Sequence, residues 1–549
     1  MRDMFFHRED VSHDNHLAVN SGFGAATAAS SRTEGLSADA LAVWLLERHL
    51  PPAERQADLV QLLQSWIDDA AVAEQHETRE YFSCVLDEDR PSQRKLFPSE
   101  LKGVDMVRPN LLRFLLMASL AIPYGSVAEM SATATERVTQ VELQRAIESA
   151  HTALWGKFIG PEGLIHDYVG ELPTAEECAL GKPNAIGWWS PIENGPMFTG
   201  TYLAAICQRA RRSGAAADRD KARRLAQGLL ACASVSNVPG FIARGMGTDG
   251  KCHYPMGSQD QTHPWFYGLH AYATSGIPAA DKRKLVIDKM KEVADALEAA
   301  DWKCPCDGPF QGQSRGDFKM FRHHGAAMYL FILRAMHDVT GDCVWLERYQ
   351  RAKHERSEKT GKTRLEICAE GYPHDRQQIK NIDHAVLWIY VSSQGGLARL
   401  ADWETDEKAR EQYRAGLAVN ARGALAVIDA YKTFDNSDTK VFGHARWREA
   451  YPAWFPQKTQ ADAERLAATG DRNILGERKR YEASRMRNPL AAAALVALAG
   501  YRDGFESVRR AICHYDYVQL NMAEFFFAEC AYYALSVEQT VTGQASFEE

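Results

Sequence analysis

From residue 38 onward, apolar residues recur at three- and four-residue spacing, first over 38–50 and 53–73 and then, after Pro109, in one long run after another. Two-residue alternation is almost absent, so the pattern predicts an all-α protein. Two kinds of helix take turns along the chain. One is amphipathic, as where Leu285, Val286, Met290, Val293 and Leu297 stand among Lys, Glu and Asp; the other is apolar nearly all round, as over 326–336, 385–391 and 525–535. A helix with a charged face borders water and one without must be enclosed, which predicts an outer and an inner layer.

The start and stop signals repeat. Gly214, Gly276 and Gly341 each follow an apolar run and suit a left-handed helix stop, because glycine enters that conformation without a Cβ clash. Asp218, Asp281, Asp342 and Asp406 follow at steps of about 60 residues, where an N-cap carboxylate accepts the free N–H groups of the next helix. Asp503 continues the series after a longer step, and the irregular, aromatic segment over 433–481 reads as a loop inserted in one repeat. Helical hairpins are expected near 109–155, 194–235, 258–300, 322–355, 383–430 and 485–540. Six inner–outer pairs form a solenoid if open and an α/α toroid if closed, and closure buries both ends of the stack. The expected organisation is a flexible leader over 1–35, an N-terminal helical extension over 36–100, and a toroid over 101–549 carrying the insertion.

Composition narrows the function classes. The 549 residues are 45% apolar and 25% charged with a net charge of −8, so no bulk field draws the protein to nucleic acid or an anionic bilayer. The apolar stretches at 114–122 and 490–499 are about half the twenty residues a membrane span needs. The first ten residues place acidic charge where a secretory signal needs an apolar core, which predicts a cytoplasmic protein. Eleven scattered cysteines read as free thiols. Cys304-Pro-Cys306 lacks the second ligand pair of a zinc site, and Gly245-Met246-Gly247-Thr248-Asp249-Gly250 lacks both the preceding strand and the Lys of a phosphate loop. Neither a metal nor a cofactor is expected.

In a ring of hairpins, the loops that enter the inner helices meet at one mouth. Those loops carry Trp188, Trp189, Glu193 and Asn194; Arg244, Lys251 and Tyr254; Gln259, Asp260, Gln261, Trp265 and Tyr267; Arg322, His323 and His324; and Asp383 with His384. Aromatic rings with carboxylates and cationic donors suit sugar, because a pyranose face stacks on Trp or Tyr while its hydroxyls take charged hydrogen bonds. Glycoside hydrolysis needs one carboxylic acid and one carboxylate, for which Glu193, Asp260 and Asp383 are candidates and Asp260 with Glu193 the preferred pair. Each also stands where an ordinary helix-capping carboxylate would. β-Elimination at a uronate would instead use Tyr254 or His323 as base, and sugar epimerisation a His323–His384 pair. Arg244 is the candidate for holding a uronate carboxylate. Trp447, Tyr451, Trp454 and Phe455 in the insertion could cover the mouth or pack on the ring surface.

With its helix-pair repeat and this mouth composition, the chain over about 100–540 resembles the α/α-toroid carbohydrate-active enzymes: uronate-releasing glycoside hydrolases, unsaturated-glucuronyl hydrolases and toroidal polysaccharide lyases. The resemblance is one of architecture. It implies cleavage of glycosidic bonds in an acidic oligo- or polysaccharide, by hydrolysis first and by elimination as the alternative.

Overall fold

A computed structural model describes residues 137–372, 387–440, 442–443, 446–449, 454–474 and 476–544, all within one compact unit, Thr135–Glu549. The expected leader, the extension with its 38–76 helices, and Asp383 and His384 lie outside the described residues.

The described chain is mostly helical, as the periodicity predicts. Helix α1 (Gln140–Lys157) opens on a reciprocal cap in which Thr139 accepts from the Glu142 N–H and the Glu142 carboxylate accepts from the Thr139 N–H. Then come α2 (Ala175–Leu180), α3 (Gly195–Ser213), α4 (Ala216–Cys232), α5 (Gln259–Thr274) and α6 (Ala280–Ala299). A two-stranded antiparallel ribbon, β1 (Lys303–Pro305) and β2 (Ser314–Asp317), leads to α7 (His323–Thr340), α8 (Cys343–His354) and α9 (Arg364–Glu370). The chain continues through α10 (Val391–Trp403), α11 (Glu407–Ile428), α12 (Gln460–Ile474) and α13 (Gly476–Glu482). A wide π-type turn over Ala483–Arg487 joins α13 to α14 (Asn488–Leu498), and α15 (Phe505–His514) and α16 (Phe527–Gln544) complete it.

Burial follows the two patterns read from the sequence. In α7 every residue from Gly325 to Leu333 is buried, whereas α6 buries only Val286, Met290, Val293, Ala294 and Leu297 along one stripe. The apolar helices touch in series: α3 packs on α5, α5 on α7, α7 on α10, α10 on α14, α14 on α16, and α16 on α3. Each amphipathic helix packs on the apolar helix before it, α4 on α3, α6 on α5, α8 on α7, α11 on α10 and α15 on α14, while α1 packs on α15 and α16.

Several details differ from the sequence reading. The expected hairpin over 485–540 is three helices, because α14 is only eleven residues long and a second apolar helix, α16, follows α15. Asp342 and Asp406 are N-caps, accepting from the Val344 and Ala409 N–H groups. Asp218 and Asp281 instead stand inside the first turn of α4 and α6, where their charge still favours the helix N-terminus. Asp503 sits in a short 3₁₀ turn, Arg502–Gly504. The ribbon was not legible because strands of three and four residues show no period. Gly214 and Gly341 are left-handed stops at φ +64° and +71°. The ten described cysteines are free, and among the described residues no helix is long and apolar enough to cross a membrane.

The α3–α5 crossing is the closest in the core. A Cβ on Gly200 would fall 2.0 Å from the Pro264 carbonyl oxygen, and one on Gly268 would fall 2.5 Å from the Gly200 oxygen. Gly200→Ala would gain about 1 kcal/mol of helix propensity, but the opposing atoms are backbone and cannot swing aside. Overpacking should win, lowering stability by roughly 2 kcal/mol net. Chemical denaturation measures this, and an unchanged or raised midpoint would show that the two backbones can separate freely.

Candidate functional site

The site grows from the loops entering α3 and α5. Backbone N–H groups at a helix start lack partners within the helix, so side chains or ligands must supply them. Here Asp167 accepts from the Asn194 backbone N–H at 2.9 Å and from its side-chain amide at 2.6 Å. Gln261 donates to Asn194 Oδ1 at 3.1 Å and accepts from the Met197 N–H at 3.1 Å. Asn194 and Gln261 are therefore staples that join the starts of α3 and α5.

Arg244, fully buried, ties the same two helices from the loop between α4 and α5. It donates to the Glu193 carbonyl at 2.8 Å and to Ser258 Oγ at 3.0 Å, lies 3.8 Å from the Asp260 carboxylate, and accepts the Gly195 N–H on its own carbonyl at 2.8 Å. Asp260 stands in the first turn of α5 with its side chain 29% exposed. Burial works against its charge, but Arg244, Arg315, Ser258 and His324 together hold it below the ordinary aspartate range. Burial drives the neighbouring His324 imidazole down to about 4, against the pull of Asp260, so it is neutral at pH 7.

A second group of charges adjoins Glu193. The Glu193 carboxylate accepts the Trp189 N–H at 3.0 Å. It faces the ammonium of Lys479, on α13, which sits 3.9 Å from the Trp189 ring centroid. Arg487, from the π-type turn, lies 4.8 Å over Trp388 and 3.7 Å from Glu524. Burial raises the Glu524 carboxyl to about 7, with Arg487 and Lys479 opposing, and its Oε2 is buried without a hydrogen-bond partner. Burial, then Glu193 and Glu524, push Asp167 well above the usual range. Trp188, Asp260, His324, Lys479 and Arg487 are half-buried among fully buried neighbours, so the charged patch remains open to water.

Trp189 is held at φ +70°, a conformation that costs a bulky residue of order 1 kcal/mol or more. Its carbonyl accepts from the Tyr168 hydroxyl, and its indole N–H donates to the Ala467 carbonyl of α12 at 2.8 Å. The insertion therefore packs on the loops around Trp189. Trp447 is buried and donates to the Glu171 carbonyl, Trp454 donates to Gly181, and Arg465 lies over Phe455; Tyr451 lies outside the described residues.

The remaining sequence candidates are placed elsewhere. Tyr254 is fully buried and donates its hydroxyl to the Lys182 carbonyl, so its proton is committed to backbone. Trp265 is a core residue donating to the Leu229 carbonyl at 2.7 Å, and Tyr267 is buried against Gly395 of α10; neither offers a face to a sugar. Gln259 accepts the Asp317 N–H and anchors β2. Lys251 is exposed on a turn, and exposed Arg322 reaches Met320. His323 turns inward and accepts from Asn420 at 3.3 Å, leaving His324 as the imidazole beside Asp260. Sequence reasoning missed Asp167, Arg315, Lys479, Arg487 and Glu524. The last three follow or lie within the irregular segment, and only their burial marks them. Among the described residues no group of three His, Cys, Asp or Glu could hold a metal ion.

No known protein family, curated protein or solved structure matches the chain.

Glu524 binds its proton more tightly in the folded protein than at its ordinary value of 4.5. Wild-type stability is therefore intact below that value and falls as pH rises towards 7, by up to roughly 3 kcal/mol at 1.36 kcal/mol per unit. Glu524→Gln has no proton to lose. Its melting temperature relative to wild type should climb between about pH 5 and about pH 8, and a difference independent of pH in calorimetry would refute the buried acid.

Proposed function

We propose that the six apolar helices close into the inner ring of an α/α toroid, with α4, α6, α8, α11, α15 and α1 outside, and that its mouth hydrolyses glycosidic bonds in an acidic oligo- or polysaccharide. The serial contacts from α3 round to α16 and back support the ring. One observation carries the chemistry. Asp260 is kept ionised by arginines, while Glu524, connected to it through Glu193 and Arg244, is kept protonated up to about pH 7. A glycosidase requires that division of labour, because the leaving oxygen must be protonated while the other carboxylate attacks or activates water.

Glu524 takes the acid role and Asp260 that of base or nucleophile. Glu193, which its place before α3 marks as a partner for Asp260, acts between them by holding the strained Trp189 loop and facing Lys479. Trp188, half-buried at the site, is the ring left to flank the sugar. Arg244, Arg315, Arg487 and Lys479 gather here while Asp167 is pushed up and Glu524 holds its proton up to about 7, which favours an anionic substrate. β-Elimination is the second reading, favoured by the neutral His324, whose ring lies 5.4 Å from that of Tyr390. A His323–His384 epimerase pair has no such support, since His323 is engaged with Asn420.

Product analysis on uronate-containing oligosaccharides separates the two. Hydrolysis releases a new reducing end without ultraviolet absorbance, whereas elimination leaves an absorbing 4,5-unsaturated uronate. Asp260→Asn and Glu524→Gln should each lower kcat/KM by about a hundredfold or more; activity that survives either substitution removes that residue from its role. For wild type, kcat/KM should fall as pH rises through about 7 and Glu524 deprotonates. Lys479→Met removes a cation that favours ionised Glu524, so it should move this limb to higher pH. A limb that stays put, or moves down, would separate Glu524 from the rate.

A further inference from the structure

We infer that Arg315 is the residue that recognises the substrate's acidic group, its guanidinium, laid over Trp188 beside Asp260, receiving the carboxylate of a sugar unit in the plane of its donors. This rests on the glycan-cleaving reading of the same mouth and replaces Arg244 in the role that sequence spacing suggested for it.

Arg315 is 6% exposed, and among the described residues no hydrogen bond to its guanidinium is formed; its Nε is buried without an acceptor. The other arginines buried to this degree each leave one nitrogen unpartnered as well, but have acceptors elsewhere on the guanidinium. Arg244 donates to Glu193 and Ser258, Arg364 to Glu355 and the Lys319 carbonyl, and Arg478 to Glu482. A buried cation without hydrogen bonds is costly, and proteins keep such groups where a ligand completes them. Asp260 does not complete Arg315: the two interact through space, but the ion pair of Asp260 is with Arg244, at 3.8 Å.

Position and orientation are fixed in advance. The Arg315 guanidinium carbon lies 5.3 Å from the Trp188 ring centroid. Its strand is locked to α5 on the far side: the Asp317 N–H reaches Gln259 Oε1 at 2.8 Å, and at Gly316, φ +104°, a Cβ would fall 2.8 Å from that same oxygen. β2 also pairs with β1 at Lys303–Asp317 and Pro305–Ser314. An indole accepts no hydrogen bond, so the guanidinium keeps its donors, whose fork matches the two oxygens of a carboxylate. Because the side chain is ordered before ligand arrives, little conformational freedom is lost on binding.

Binding, read separately from cleavage, tests this. Titration calorimetry with glucuronate, glucose and glucose 6-phosphate on the full chain should show glucuronate preferred over glucose by about tenfold or more, the worth of one charged hydrogen-bonded pair. Arg315→Gln should remove most of that preference, chiefly by weakening glucuronate binding. Arg315→Lys, which keeps the charge but not the fork, should restore only a small part of it. Glu524→Gln, in which cleavage is expected to fail, should keep the preference. Full preference in Arg315→Gln or Arg315→Lys, no preference in wild type, or tighter binding of the 6-phosphate than of the carboxylate would each overturn the assignment. An Arg315-dependent preference in a protein that cleaves no glycan would uphold the carboxylate site and sink the hydrolase reading instead.

Discussion

The site depends on one buried guanidinium. Arg244 binds the Glu193 carbonyl before α3, Ser258 at the start of α5 and the Asp260 carboxylate within its first turn, while its own carbonyl accepts the first N–H of α3. Two helix starts and the Asp260 carboxylate are thus referred to one rigid fork. The close Gly200–Gly268 crossing sets the distance between the same helices farther along. Spacing and orientation at the helix starts therefore follow from contacts made at two levels of one helix pair. Arg244 is for that reason a poor candidate for binding substrate: withdrawing its donors would loosen the frame they hold.

Burying four carboxyl groups and four cations in one patch would be untenable if each stood alone. It is tolerable here because the charges alternate. Asp260 lies against Arg244, while Glu193 and Glu524 face Lys479 and Arg487. Where carboxyls crowd, as Asp167 does with Glu193 and Glu524, burial and then the neighbouring charges push the group towards its protonated form. The result is a site in which arginines hold Asp260 ionised while burial holds the proton of Glu524 up to about pH 7. The same crowding costs stability, because the buried Glu524 must lose its proton as pH rises.

What the sequence disclosed and what it hid divide along physical lines. The fully enclosed and the amphipathic helices were legible because a long helix writes its burial as a period of 3.6 residues, and the left-handed stops because glycine is needed there. Glu193, Asp260 and Arg244 were legible because they flank those periodic segments in polar, aromatic loops. Trp265 and Tyr267 misled for the same reason: within one turn of a helix start, composition alone does not separate a ring facing the mouth from one facing a neighbouring helix. Glu524, Arg487 and Arg315 gave no local signal. Glu524 precedes an apolar helix like any first-turn acid, Arg487 sits in a π-type turn, and Arg315 in a four-residue strand. Their significance lies in burial and in the groups they face, which are properties of the folded chain.

The inserted segment shows how such a site can be completed from outside the repeat. Its α12 takes the Trp189 indole N–H on the Ala467 carbonyl, and its α13 lays Lys479 over the same ring. Trp189 is thereby held in a left-handed backbone conformation that its own loop would not favour. That conformation turns its backbone N–H onto the Glu193 carboxylate, which in turn faces Lys479. Strain in the loop, the cation on the ring and the orientation of the carboxylate are therefore one linked arrangement. A long insertion adds little entropy cost to the unfolded chain, and in this fold it returns a cation and a fixed indole to the place where the helix starts converge.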